Sequence, residues 1–193
     1  MEDVVTSTSN IKWREQDDCE QYYYIDLSSV NIDNHSIEKV SKIDKTTAPS
    51  RAQQVIHEGD VLFATTRPMQ KRNCIVSSKY DGQICSTGYC VLRPNRSIVL
   101  SKWIYYITSC QDFYNYVEQR QEGTSYPSIS DKNVKKYSCY LPSIEEQEKI
   151  VSVLDSFEVL VNNLSIGLPA EIKARQKQYE YYRDQLLNFK EKV

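Results

Sequence analysis

From Ile150 onward the apolar positions fall four and three residues apart, and no other feature of the chain narrows its possible folds as much. Ile150, Leu154, Phe157, Val161 and Leu164 form one run; Leu168, Ile172, Arg175, Tyr179, Tyr182, Leu186 and Phe189 resume it after a break. Such spacing keeps one stripe of a helix facing another helix. The seam is longer than the preceding residues could cover, so it predicts a helical arm that packs on a partner helix in a second chain. An intramolecular hairpin about Gly167 is the simpler alternative. Pro142, Ser143 and Glu146 mark the start as a capping box, with Glu145 and Glu146 at the positive end of the helix dipole. The first helix is predicted from about Ile144 to about Asn163. Gly167 and Pro169 punctuate a break near 165–169, and a second helix is predicted from Pro169 to about Glu191. Arg175 and the Tyr179/Tyr182 pair suit register and partner choice better than maximum stability.

The residues before the arm read as short strands and turns with one helical interruption. This predicts an α+β fold: a compact mixed α/β domain over 1–142, then long coiled-coil-type helices over 143–193. Strands are expected at Tyr22–Leu27, at Val61–Phe63 after the turn at Gly59, at Cys74–Val76 and at Cys85–Leu92, the last bent at Gly88. Trp103, Ile107, Cys110, Tyr114 and Val117 change to helical spacing, and EGTSYPSIS (122–130) is loop.

With 193 residues and 40% apolar content the chain can hold one domain and an extended element. No apolar run approaches the roughly 18 residues of a membrane span. The acidic, polar start MEDVVTSTSN argues against a secretory signal, so a cytoplasmic location is expected. Cys19, Cys74, Cys85, Cys90, Cys110 and Cys139 contain no CxxC pair and are expected reduced and mostly buried; with His35 and His57 the only histidines, no metal site is expected.

No nucleotide-binding glycine loop, nucleophile elbow, HExxH or methyl-donor motif is present. Glu146 to Lys149 mimics half of a nuclease site but reads as helix cap. A binding protein is therefore expected, with no catalytic residues and no cofactor of its own. The formal charge is −2, yet residues 1–143 balance seventeen Lys and Arg against seventeen Asp and Glu, and the acid excess lies in the arm. Basic residues cluster at Arg67, Lys71 and Arg72, at Arg93 and Arg96, and at Lys132, Lys135 and Lys136. Two loops combine hydroxyls, cations and an aromatic: Ala64–Arg72, and GTSYPSIS with Lys132 beyond it. Those residue types meet phosphates and base edges, and they equally make up ordinary solvated surface loops; Thr65, Thr66, Arg67, Lys71, Arg72, Thr124, Ser125, Tyr126 and Lys132 are the candidate DNA-facing residues.

YIDLSS (Tyr24–Ser29), APSRAQQVIHEGDVLFATTRP (Ala48–Pro68), CSTGYCVLRP (Cys85–Pro94), EGTSYPSIS and above all LPSIEEQEKIVSVLD with GLPAEIKARQKQYEYYRDQLL strongly resemble the specificity subunit of type I restriction-modification systems. The resemblance implies a target recognition domain that reads one half of a split DNA sequence and helices that act as spacer and dock the modification (methyltransferase) subunits. Methyl transfer from S-adenosylmethionine and ATP-driven restriction would belong to partner chains. The family usually carries two recognition domains and two helical regions, whereas this chain has one of each and a short N-terminal lead-in. The single copy of each implies a half-subunit that pairs with a copy of itself, as a homodimer reading an inverted repeat, or with another half, through Leu154, Phe157, Val161, Leu164, Ile172, Tyr179, Tyr182 and Leu186; the short lead-in leaves a truncated or separately encoded product as the alternative. Two rival readings are a decoy that occupies the modification subunit without reading sequence and an enzyme acting on DNA alone.

Overall fold

A computed structural model describes residues 1–163 and 169–188. Nine strands, β1 (Val5–Thr6), β2 (Ser9–Asn10), β3 (Tyr22–Ile25), β4 (Ser41–Ile43), β5 (Ala52–Val55), β6 (Val61–Ala64), β7 (Asn73–Ile75), β8 (Ile84–Ser86) and β9 (Tyr89–Pro94), precede α1 (Ser101–Ser109), α2 (Gln111–Glu118), α3 (Asp131–Lys135), α4 (Ile144–Asn163) and α5 (Pro169–Leu187). They make a four-stranded sheet ordered β1-β9-β6-β7 and a five-stranded sheet ordered β2-β5-β8-β3-β4. Every pairing is antiparallel except that of β3 with β8.

The sequence VLFA of β6 is buried at all four positions, which fits a strand covered on both faces. Its alternation divides the core. Leu62 and Ala64, with Tyr89 and Val91 of β9, meet Ile25 and Cys85 of the other sheet. Val61 and Phe63, with Cys90 and Leu92, face the helices. There Phe63 meets Phe113 edge to face at 5.0 Å. The molecule is thus three layers, sheet on sheet on helices.

Gly88, expected to bend one long strand, instead marks where the chain leaves one sheet for the other: β8 belongs to the five-stranded sheet and β9 to the four-stranded one. A Cβ there would come within 3.0 Å of the Leu27 side chain. Gln54 holds this crossing, its buried amide donating to the carbonyls of Ser86 (3.0 Å) and Tyr89 (2.7 Å). Arg93, offered by the sequence as part of a basic cluster, is bound to the buried Asp60 through Nη2–Oδ2 at 2.8 Å and Nε–Oδ1 at 3.0 Å. Removing one partner of such a pair leaves the other charge uncompensated. Asp60→Ala is therefore expected to lower stability by about 3 kcal/mol in urea unfolding, without touching the exposed surface.

The arm begins as predicted. Ser143 N–H donates to Glu146 Oε2 (3.2 Å) and Glu146 N–H to Ser143 Oγ (3.4 Å). Fully buried Gln147 adds a fastening that the sequence did not announce: it donates to Ile98 O and Pro142 O and accepts from Leu100 N–H. The seam closes on its own chain. Leu154 is fully buried in the helix-side core, and Tyr179 and Leu186 pack against the same cluster. Phe157 stacks on Tyr182 at 5.8 Å. Leu154 is thus an internal residue and not a surface offered to a second chain, because α4 lies against α1. Leu164, Leu168, Phe189 and the expected break at 165–168 lie outside the described residues, as do the side chains of Val161 and Ile172. No described helix is long and apolar enough to cross a membrane.

Polar contacts lock arm to domain. Tyr106 donates to Asp155 Oδ1 at 2.6 Å, with Glu158 Oε2 at 3.1 Å, and Lys102 pairs with Asp155. Nearby, His35 lies against Tyr105, with Nδ1 at 3.1 Å from Asn73 O. The carbonyl can only accept, so Nδ1 carries the proton. Burial pulls the His35 pKa below its ordinary value; the Asn73 carbonyl and Glu158 oppose this, while Arg183 and Lys71 reinforce it. The unfolded chain then binds the proton more readily than the folded one. Stability is expected to fall as pH drops through about 6.5 and below, and His35→Asn, which tolerates the left-handed backbone at this position (φ 54°), should lessen that fall in parallel pH-dependent melts.

Candidate functional site

Four segments enclose a cleft of about 540 Å³. Asp26, Leu27 and Ser28 follow β3; Arg51 precedes β5; Thr66, Arg67, Gln70 and Arg72 come from the β6–β7 loop; Tyr126 and Ser128 come from the loop between α2 and α3. Three arginines face one aspartate, so the cleft is electropositive although the chain is not. Below it, Tyr89 donates to Asp26 O at 3.2 Å, and burial pushes its hydroxyl pKa far above the usual tyrosine range.

The walls are pinned by backbone. Thr66 and Glu122 each form a bridge with Ser128. Arg67 N–H donates to Pro127 O (2.7 Å) and Ile129 N–H to Thr65 O (2.9 Å). Gly123 closes the 122–128 loop at φ +91°, where a Cβ would meet Tyr126 O at 3.1 Å. Arg67 and Lys71 both sit in the left-handed region, at φ 50° and 56°. Strain of this kind persists only where surroundings over-determine it, and it gathers at functional loops.

The candidate residues divide into three groups. Arg67, Tyr126 and Thr66 line the cleft, and Thr124 and Ser125 are exposed at the tip of its wall. Thr65 is buried with its hydroxyl given to Gly88 O (2.9 Å), and Arg72 donates to Leu27 O and Val30 O; both shape the cleft from within. Lys71 lies 5.0 Å over the Tyr114 ring, and exposed Lys132 on α3 does not line the cleft. Arg96 is tied to the Glu58 carbonyl. Arg51, Asp26, Ser28, Gln70 and Ser128 were missed by residue-type reasoning. The signal was nonetheless present, since Tyr24–Ser29, Ala48–Pro68 and EGTSYPSIS supply every lining residue except Gln70 and Arg72. All six cysteines carry free thiols, four of them buried. Among the described residues no cluster of His, Cys, Asp or Glu is placed to hold a metal ion.

Residues 1–174 match the family model for the type I restriction modification DNA specificity domain. A type I restriction enzyme specificity subunit of Escherichia coli is 41% identical over 91 residues, 47% of this chain and 22% of that protein. A putative one of Haemophilus influenzae is 40% identical over 96 residues, 49% of this chain and 23% of that protein. The crystal structure of the HsdS subunit from Thermoanaerobacter tengcongensis superposes with a TM-score of 0.75 at 33% identity, covering 85% of this chain and 41% of that one. A chain from a study of complex assembly and conformational transition of the type I R-M system gives 0.77 at 33% identity, covering 84% and 42%. The matches therefore span under a quarter of these curated relatives and about two fifths of the solved chains.

Proposed function

The chain belongs to the type I restriction modification DNA specificity domain family, and on that premise we propose that it is the sequence-specific DNA-recognition unit of a type I restriction-modification complex. The cleft carries this reading: arginine and hydroxyl groups from three of the family-like segments converge, with the Gln70 amide and Arg72, on one pinned, electropositive site. Duplex DNA is the ligand those groups suit. The unit supplies no catalysis. Methyl transfer with S-adenosylmethionine and ATP-driven cleavage fall to the modification and restriction subunits that the helical arm recruits in the cytoplasm. With those subunits gripping the DNA backbone, a formal charge of −2 on the reading unit is tolerable.

The unit pairs with a second copy, so that two recognition domains read a two-part target as an inverted repeat with a fixed gap. Since Leu154 is internal, the pairing surface is the outer face of α4. Val153, Val159 and Leu160 are 45%, 57% and 53% exposed there, and Val159 and Leu160 border an open groove with Leu100 and Val151. Selection from a random duplex library, with the chain alone and with a modification subunit added, tests both parts. An enriched inverted repeat with one gap is expected; complex formation without sequence enrichment would mean a decoy, and cleavage or methylation by the chain alone would mean an enzyme.

A further inference from the structure

We propose that Arg67 reads a guanine in each half-site, with Tyr126 as the platform that orients it; this rests on the DNA-recognition reading above. The two cleft arginines of the β6–β7 loop behave differently. Arg72 gives its donors to the Leu27 and Val30 carbonyls. The Arg67 guanidinium donates to no described residue, yet it is not loose: it lies 4.4 Å over the Tyr126 ring, and its own backbone is fixed by the bond to Pro127 O and by the left-handed conformation. A planar fork of donors given to no described residue, held 4.4 Å over an aromatic that is itself 70% exposed, is preset for a planar pair of acceptors.

Guanine O6 and N7 in the major groove present such a pair. A phosphate could also accept two donors, but Asp26 lines the same cleft and disfavours a second anion, whereas Gln70, Ser28 and Ser128 add neutral groups suited to base edges. Stacking on Tyr126 also removes rotamer freedom before binding, so less is lost when the two hydrogen bonds form.

The test uses the full chain and its own selected target. One position in each half-site should be guanine, and replacing it by 7-deazaguanine, which lacks the N7 acceptor, should weaken wild-type binding roughly tenfold. Arg67→Ala should lose the preference at that position alone and become indifferent to the deaza base. Arg67→Lys should not restore it, and Tyr126→Phe should behave as wild type while Tyr126→Ala reads the position poorly. Arg67 and Tyr126 are exposed, so all variants should melt with the parent. Overturning results are distinct. If Arg67→Ala keeps every base preference but binds all sequences more weakly, with the salt slope reduced by about one, the contact is to phosphate. If the wild type selects a target without guanine dependence at any site governed by Arg67, the guanine assignment fails while the DNA reading stands. If the wild type enriches no sequence, alone or with a modification subunit, both fail.

Discussion

Leu154→Asp is expected to cost the chain at least about 4 kcal/mol and leave it largely unfolded, while Leu160→Asp, on the same helix, leaves a folded monomer. Leu154 is fully buried, enclosed in a core that includes Trp103, Ile107 and Phe113. Truncation of such a leucine alone costs about 2 to 5 kcal/mol, and a carboxylate without a partner adds the penalty of desolvation. Small domains have only about 5 to 15 kcal/mol in total. Leu160 is 53% exposed, so a charge there stays hydrated and acts only on what docks from outside. Circular dichroism melts with sedimentation of both variants separate the cases. A Leu154→Asp chain that stays folded and loses only its pairing would restore that residue to an interchain seam.

That contrast also shows where the sequence ran out. Four-and-three spacing identified the helix, and the Ser143/Glu146 capping box set its first residue, because both signals are local. Spacing cannot say whose surface the stripe meets. The deciding contacts, of Gln147 with Ile98 and Leu100 and of Tyr106 with Asp155, join residues nearly fifty positions apart. The sheets show the same division. VLFA reads as a strand from its apolar run, and its burial on both faces follows from that composition. AQQV of β5 does not, because the buried Gln54 looks like a surface residue until its amide is seen bridging Ser86 and Tyr89. α3 is only five residues long, too short for periodicity, and its one local sign is the Ser130 side chain accepting from Asn133 N–H.

Within the cleft, residue type located the two loops but not the roles inside them. Thr65 and Arg72 have the chemistry of DNA contacts and give it to carbonyls of their own chain. Arg51 stands between Ser50 and Ala52 outside every cluster of basic residues, so residue type gives it no role until the start of β5 is seen beside the β6–β7 loop.

Joint reversal of the two exposed cleft arginines, Arg51→Glu with Arg67→Glu, should reduce DNA affinity by on the order of a hundredfold or more at moderate salt. The change replaces two cations by two anions at a site that already holds Asp26, so the cleft turns from attractive to repulsive. Stability should hold, since neither guanidinium makes a hydrogen bond to a described residue and both side chains meet solvent. Lys132→Glu supplies the comparison. It alters net charge in the same direction from an exposed position on α3 outside the cleft, and it should weaken binding only a few-fold and less still as salt rises. Titration of a fluorescent target duplex at two salt concentrations distinguishes a built site from a diffuse positive face. If Lys132→Glu matched the loss per charge of the cleft pair, affinity would come from the overall field of the domain, and the convergence of four chain segments on Arg51 and Arg67 would have no part in binding.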